Sequence, residues 1–331
     1  MTRTLFLLTI LFSVYACKGD DDVQPDCPDD VTWDKLEVGY YKDPEPTLLD
    51  NIRTAGDLQY ESVTAEAVPN GVEITLNDVR IRTPNQNYEI QAYRVSERRR
   101  DEACFQTQTE FSNDETSFQT DIASVLVLDM SASLAGTVND LKEYAKSYAQ
   151  TVVGSSNNST VAVVFFSDRD AIQATGFHTS SNISQLLNQI DNYDDYQDRT
   201  ALYQATQTGI ELLENLDFDG QKSLVAFTDG GDNDSNNPSQ LLSQIQAQDN
   251  IDIFAIGLRG NDFQESGLRD IVRAESNMTV ADDANALQSI FEIVSRGVVS
   301  VYTIRYIRSD QNLTREEAID IRLSFDAIPI Q

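Results

Sequence analysis

Histidine is almost missing: His178 stands alone in 331 residues. That excludes most chemistry built on an imidazole base and most zinc sites built on His ligands. Cysteine is nearly as scarce, with only Cys17, Cys27 and Cys104, too few for a disulfide-built scaffold. Positive charge is short as well. Twenty-four Lys and Arg face 54 Asp and Glu, a formal net charge of −30. Such a chain is repelled by phosphate backbones, which removes nucleic acid as a partner. There is no Gly-x-Ser-x-Gly and no phosphate-cradling glycine loop, so neither catalysis nor a small-molecule substrate is expected. Beyond residue 16 no stretch is apolar enough to cross a membrane. What is present is globular in composition, 40% hydrophobic and 24% charged, with length for one large domain or two ordinary ones.

The first residues read as an address. One positive charge, Arg3, precedes Leu5 to Ala16, which is apolar apart from Thr9 and Ser13. That run is too short for a permanent bilayer helix but suits a secretory signal over 1–16. Its end, Val14-Tyr15-Ala16-Cys17, resembles a bacterial lipobox, and Lys18-Gly19-Asp20-Asp21-Asp22 resembles the tether of surface lipoproteins of Bacteroidota. The resemblance implies lipidation of Cys17 and an outer-membrane or cell-surface location, with 17–30 as an acidic tether. The competing reading is an ordinary signal peptide with a chance cysteine. In an oxidising compartment Cys27 and Cys104 are left to pair; two separate thiols are the alternative.

Residues 31–118 carry a period of two. Val72, Ile74 and Leu76 alternate with Glu73 and Thr75, and Pro69-Asn70-Gly71 marks a turn. Thr47 to Ala55 reads as one short helix. The period returns in 300–331, where Ile319, Ile321, Leu323 and Phe325 alternate with polar residues. Two strands alone are marginal, so these are expected to fold back on 31–118 as one antiparallel β domain.

From 121 to 299 strands alternate with helices. Ser124 to Leu128, Val161 to Phe166, Ser223 to Phe227 and Ile251 to Leu258 are apolar runs, as in strands buried on both faces. Leu141, Tyr144, Ala145, Tyr148 and Val152 form a helical stripe, as do Leu202, Ala205, Gly209, Leu212 and Leu216. Shorter helices are expected at 183–190, 241–245, 268–274 and 287–294. Four residues separate Phe166 from Ala171 to Phe177, too few for a crossover, so that strand is antiparallel at an edge. The expected class is α/β: a doubly wound, mostly parallel sheet with one antiparallel edge strand, beside the smaller β domain.

Open sheets of this kind bind ligands past the carboxyl ends of their strands. Two buried runs end there in acids: Leu128-Asp129-Met130-Ser131-Ala132-Ser133 and Phe227-Thr228-Asp229-Gly230. Carboxylates and hydroxyls converging before helices make an oxygen-only site, suited to Mg²⁺ or Mn²⁺ more than zinc. Asp129-x-Ser131-x-Ser133 resembles the metal-ion-dependent adhesion site (MIDAS) of von Willebrand factor A domains. Thr200, in Asp198-Arg199-Thr200, and Asp229 fill that family's two remaining positions. The resemblance implies that Ser131, Ser133 and, with ligand bound, Thr200 touch the metal, while Asp129 and Asp229 act mostly through water. A partner protein would then supply an Asp or Glu carboxylate.

Other motifs carry less. Asp232-Asn233-Asp234-Ser235-Asn236 starts like a calcium loop but lacks its Gly and final Glu, and reads as a polar loop. His178 reads as a surface polar residue, and Arg98-Arg99-Arg100 as a solvated turn. The function expected is metal-dependent protein binding by an envelope lipoprotein. The alternatives are an assembly scaffold in an envelope complex and, more distantly, a hydrolase.

Overall fold

The structure, a computed structural model, describes residues 34–41, 47–53, 58–59, 62–68, 71–83, 86–99, 104, 106–107, 120–260, 263–308 and 318–330. Seven strands come first: β1 (Asp34–Tyr41), β2 (Thr47–Arg53), β3 (Leu58–Gln59), β4 (Ser62–Val68), β5 (Gly71–Thr83), β6 (Gln86–Arg99) and β7 (Gln106–Thr107). The alternating half follows: β8 (Ile122–Asp129), α1 (Val138–Ser155), β9 (Thr160–Phe166), β10 (Ile172–Ala174), β11 (His178–Thr179), α2 (Ile183–Asn192) and α3 (Leu202–Glu214). It continues with β12 (Gln221–Thr228), α4 (Pro238–Gln246), β13 (Ile251–Leu258), α5 (Glu265–Arg269), β14 (Met278–Ala281) and α6 (Leu287–Val299). Two more strands, β15 (Tyr302–Arg308) and β16 (Ala318–Pro329), close the described chain.

The strands form two sheets. The seven-stranded sheet has the order β10-β9-β8-β12-β13-β14, with β11 also on β9. Strands β8, β9, β12, β13 and β14 run parallel. The edge expected as one antiparallel strand is held by two short pieces, β10 and β11, both antiparallel to β9. Alternation along the buried strands divides the core. Leu126, Leu128, Phe165, Phe227 and Phe254 face α1, α2 and α6. Val125, Val127, Val164, Leu224 and Ala255 face α3, α4 and α5. Helices thus cover both faces, and each strand needs apolar residues at every position.

Helix α3 lies unusually close to its sheet. A Cβ on Gly209 would stand 2.8 Å from Leu224 Cδ1 and 3.1 Å from Val127 Cγ2. Glycine in a helix interior costs about 1 kcal/mol against alanine, so the position is kept for contact rather than helix propensity. Gly209→Val is expected to destabilise the protein by about 1–3 kcal/mol through overpacking, read as a lower urea midpoint. An unchanged midpoint would contradict the close approach.

The nine-stranded sheet joins the two ends of the chain, in the order β15-β5-β6-β16-β1-β2. Strand β16 pairs with β6 and β1, and β15 with β5. It meets the α/β half through the ion pair of Arg80 and Asp252 of β13 and through Arg296 Nη2 of α6 on Glu89 Oε2 at 3.0 Å, while Ile90 N–H donated to Tyr302 OH at 3.1 Å ties β6 to β15 within the sheet.

Several sequence expectations are corrected. Thr47–Arg53 is strand β2 rather than a helix, because pairing with β1 supplies hydrogen bonds that so short a helix cannot match. The helix expected over 268–274 lies earlier, at Glu265–Arg269, and buried Ile271 follows it in a turn. Arg98 and Arg99 belong to β6, opposite Asp320 and Ile319, not to a turn. His178 is buried rather than exposed, its backbone held on β9 opposite Val161.

Candidate metal centre

The order of the seven-stranded sheet reverses between β8 and β12. From β8 the chain winds outward through β9, and from β12 outward through β13 and β14. Phe227 pairs in register with Leu128, so Asp129 and Thr228 leave neighbouring parallel strands at the same height. The loops after β8 and β12 therefore spread over one crevice. The loop from α2 to α3 is drawn over it by two backbone bonds. Ala132 N–H donates to Gln197 C=O at 2.8 Å, and Ala201 N–H to Ser167 C=O at 2.8 Å.

Four of the five expected residues form one chain of contacts. Asp129 Oδ1 accepts from Ser131 N–H at 2.8 Å. The Ser131 and Ser133 hydroxyls lie 3.0 Å apart, and Ser133 donates to Asp229 Oδ1 at 2.9 Å. Thr200, the fifth, has its Oγ1 only 3.3 Å from where a Cβ on Gly230 would sit. All five thus gather where β8 and β12 end.

Asp129 is fully buried. Burial pushes its carboxyl up to about 7, against the pull of hydrogen bonds from Thr228 and Ser131; the charge of Asp229 adds to the rise. Thr228, within the quoted motif but not among the expected ligands, donates to Asp129 Oδ2 at 2.5 Å and accepts from Gly230 N–H at 3.0 Å. Asp129 is thereby fixed in orientation at both oxygens.

The polar loop 232–236 has a positioning role that its sequence did not reveal. Asn233 Oδ1 accepts from Thr200 N–H at 2.9 Å, and Thr200 C=O accepts from Asn233 N–H at 2.9 Å. Asp234 accepts from Arg169 Nη2 at 2.7 Å and Arg199 Nη1 at 2.9 Å. The Arg169 hydrogen bonds hold its carboxyl well below the usual carboxylate range. Asp232 accepts from Tyr203 N–H at 3.1 Å and from Ser235 Oγ at 2.5 Å. These carboxylates are engaged within the protein, which answers the calcium-loop resemblance: they clamp the Thr200 loop.

The donors fit a small hard cation. Adjacent oxygens of an octahedral Mg²⁺ shell lie about 2.9 Å apart, and the two hydroxyls expected to touch the metal, Ser131 and Ser133, lie 3.0 Å apart. Among the described residues no group of three His, Cys, Asp or Glu gathers to hold a metal. The set is complete only when hydroxyls are counted, as oxygen-seeking ions require. Cys17 and Cys27 lie outside the described residues, whereas Cys104 is disulfide-bonded. No helix among the described residues is long and apolar enough to cross a membrane.

A family model for the von Willebrand factor type A domain matches residues 124–293, just over half of the chain. No curated protein matches. Among solved structures, proximal thread matrix protein 1 from the mussel byssus, with zinc in its MIDAS motif, is 21% identical with a TM-score of 0.47. The match covers 57% of this chain and 49% of that one. The pilus adhesin SpaC of Lactobacillus rhamnosus GG, in its open conformation, is 12% identical with a TM-score of 0.47, over 92% of this chain and 45% of that one. The chain thus spans about half the length of these structures.

Proposed function

Since the chain belongs to the von Willebrand factor type A domain family, we propose that it is a metal-dependent protein-binding module. Ser131, Ser133 and Thr200 would hold Mg²⁺ or Mn²⁺, with Asp129 and Asp229 behind them. A divalent ion supplies concentrated positive charge at the crevice, where it attracts an Asp or Glu carboxylate of a partner protein. The observation that carries this reading is the single chain of contacts that brings Asp129, Ser131, Ser133 and Asp229 together where β8 and β12 end, with the two serine hydroxyls 3.0 Å apart. No catalytic step is assigned.

Mg²⁺ is expected to stabilise the protein by about 2.7 kcal/mol at a hundredfold excess over its dissociation constant, seen as a rise in melting temperature. Mn²⁺ should act alike. A melting temperature indifferent to both ions sinks the proposal. Thr200→Ala should weaken capture of a carboxylate-bearing partner more than it weakens the Mg²⁺ shift.

From the lipobox-like run that ends at Cys17, we further propose a place in the bacterial envelope, at the outer membrane or cell surface, anchored by lipid on Cys17. Acylation would occupy the Cys17 sulfur, leaving Cys27 as the partner of the bridged Cys104. Cys17→Ser is expected to release the protein from membranes or to halt its processing, followed by fractionation and intact mass. Normal processing with full membrane retention would reject the anchor.

A further inference from the structure

The metal centre lies in an acidic rim, and that limits what partner it can admit. The loop leading to Thr200 carries Asp194, Asp195 and Asp198, all exposed, around Tyr196. Tyr196 is the large hydrophobic residue recorded as exposed among the described residues, at 37%. Its position is fixed. The Tyr196 hydroxyl donates to Tyr193 C=O at 2.9 Å, its ring meets the Tyr193 ring edge-on, and Tyr193 stacks on Phe165 of β9 with centroids 4.3 Å apart. Its neighbour Gln197 accepts from Ala132 N–H, between the two serines of the metal centre. A ring held this way loses little entropy on contact, a property of interface anchors.

The cations near this rim already have partners. Arg169 and Arg199 both bind Asp234, and Arg259 binds Asp282 at 2.9 Å. The Lys142 ammonium is held by the carbonyls of Asp191 and Tyr193 at 2.9 and 2.7 Å. In the loop leading to Thr200 the three exposed carboxylates of Asp194, Asp195 and Asp198 outnumber the one exposed guanidinium, Arg199, so a partner carboxylate approaching past this loop meets net like charge.

Resting on the metal-dependent reading above, we propose that Tyr196 with Asp194, Asp195 and Asp198 forms a cation-recognition subsite beside the metal centre. The partner is a protein segment whose Asp or Glu is flanked by Lys or Arg. The carboxylate goes to the ion, and the basic side chain lies over the Tyr196 ring among the three aspartates, combining cation–π attraction with charge pairing. An acid-flanked carboxylate is refused by the same rim.

The test uses immobilised peptides in the presence of Mg²⁺: Gly-Lys-Gly-Asp-Gly-Lys-Gly, its Glu-flanked counterpart, and the Lys-flanked peptide with Asn in place of Asp. The Lys-flanked Asp peptide should bind at least about tenfold more tightly than the Glu-flanked one, and its affinity should fall with salt. The Asn version should lose most of the binding. Tyr196→Ala should weaken the Lys-flanked peptide. Combined Asp194→Asn, Asp195→Asn and Asp198→Asn should erase the preference while leaving the Mg²⁺ thermal shift in place. Equal binding of both Asp peptides, no binding of either with Mg²⁺ seated, or a preference that survives the triple substitution overturns the subsite. Absence of the Mg²⁺ shift in the unaltered protein instead overturns the metal reading, and the subsite with it.

Discussion

Asp129→Asn is expected to abolish the Mg²⁺ response and, in the same protein, to raise stability at pH 8 when divalent ions are chelated. Both effects follow from one buried carboxylate. Burial lifts its folded value to about 7 from an ordinary 3.8, so the folded chain binds the proton more tightly than the unfolded chain. Its contribution is therefore most favourable below about pH 4 and is lost as pH rises toward and through 7. The full loss is roughly 4 kcal/mol at most, from the width of that window. Asn carries no charge to desolvate and still offers an oxygen to Ser131 N–H. Urea unfolding in chelator at pH 5 and pH 8 measures the gap, which should be smaller in the variant. With Mg²⁺ added at pH 8, only the unaltered protein should gain. A variant that is less stable at both pH values, or that keeps its Mg²⁺ shift, contradicts the account.

Asp234→Ala is expected to cost about 10- to 100-fold in Mg²⁺ affinity, as loss of outer-shell support does, although Asp234 is not one of the proposed ligands. Its carboxylate joins Arg169, in the turn between β9 and β10, to Arg199, beside Thr200. Removing it frees two guanidinium groups and loosens the loop that carries the Thr200 hydroxyl. The lowered value of Asp234 means that its stabilising contribution is present above about pH 4. It is lost only as pH falls through that lowered value. Calorimetric titration with Mg²⁺ at pH 8 reads the affinity. An unchanged value would show that Asn233 alone holds the loop.

How much of this was legible in the sequence depended on the reach of each interaction. Val125 to Leu128 and Leu224 to Phe227, which lead to Asp129 and Asp229, are apolar throughout, so strands buried on both faces were readable, and with them the adjacency of the two acids. The spacing of Asp129, Ser131 and Ser133 is local and was readable too. The clamp on Thr200 was not, because Asn233 and Asp234 act across 33 and 35 residues, and the loop's own composition suggested only polarity. Thr228 stood inside a quoted motif, yet its bond to Asp129 spans 99 residues. The helix expected at Thr47 to Ala55 failed for a related reason. Its apolar spacing was short enough to serve either structure, and pairing with β1 decided it. His178 lost its expected exposure to burial on an edge strand only two residues long.

Strand β1 pairs with β16, Asp34 opposite Phe325, and almost the whole chain separates them. The seven-stranded sheet draws every strand from within Ile122–Ala281. On the ribosome it can therefore close while the last strands of the other sheet are still unmade. The early strands must wait for β15 and β16, a delay on the order of ten seconds or more at ordinary elongation rates. Their pairing also has the largest loop-closure cost in the molecule. During that interval β1 and β6 present open edges, which are prone to pair with other chains. Refolding of the intact chain should accordingly be biphasic, with the α/β half formed first and the terminal sheet as the slow, aggregation-sensitive step.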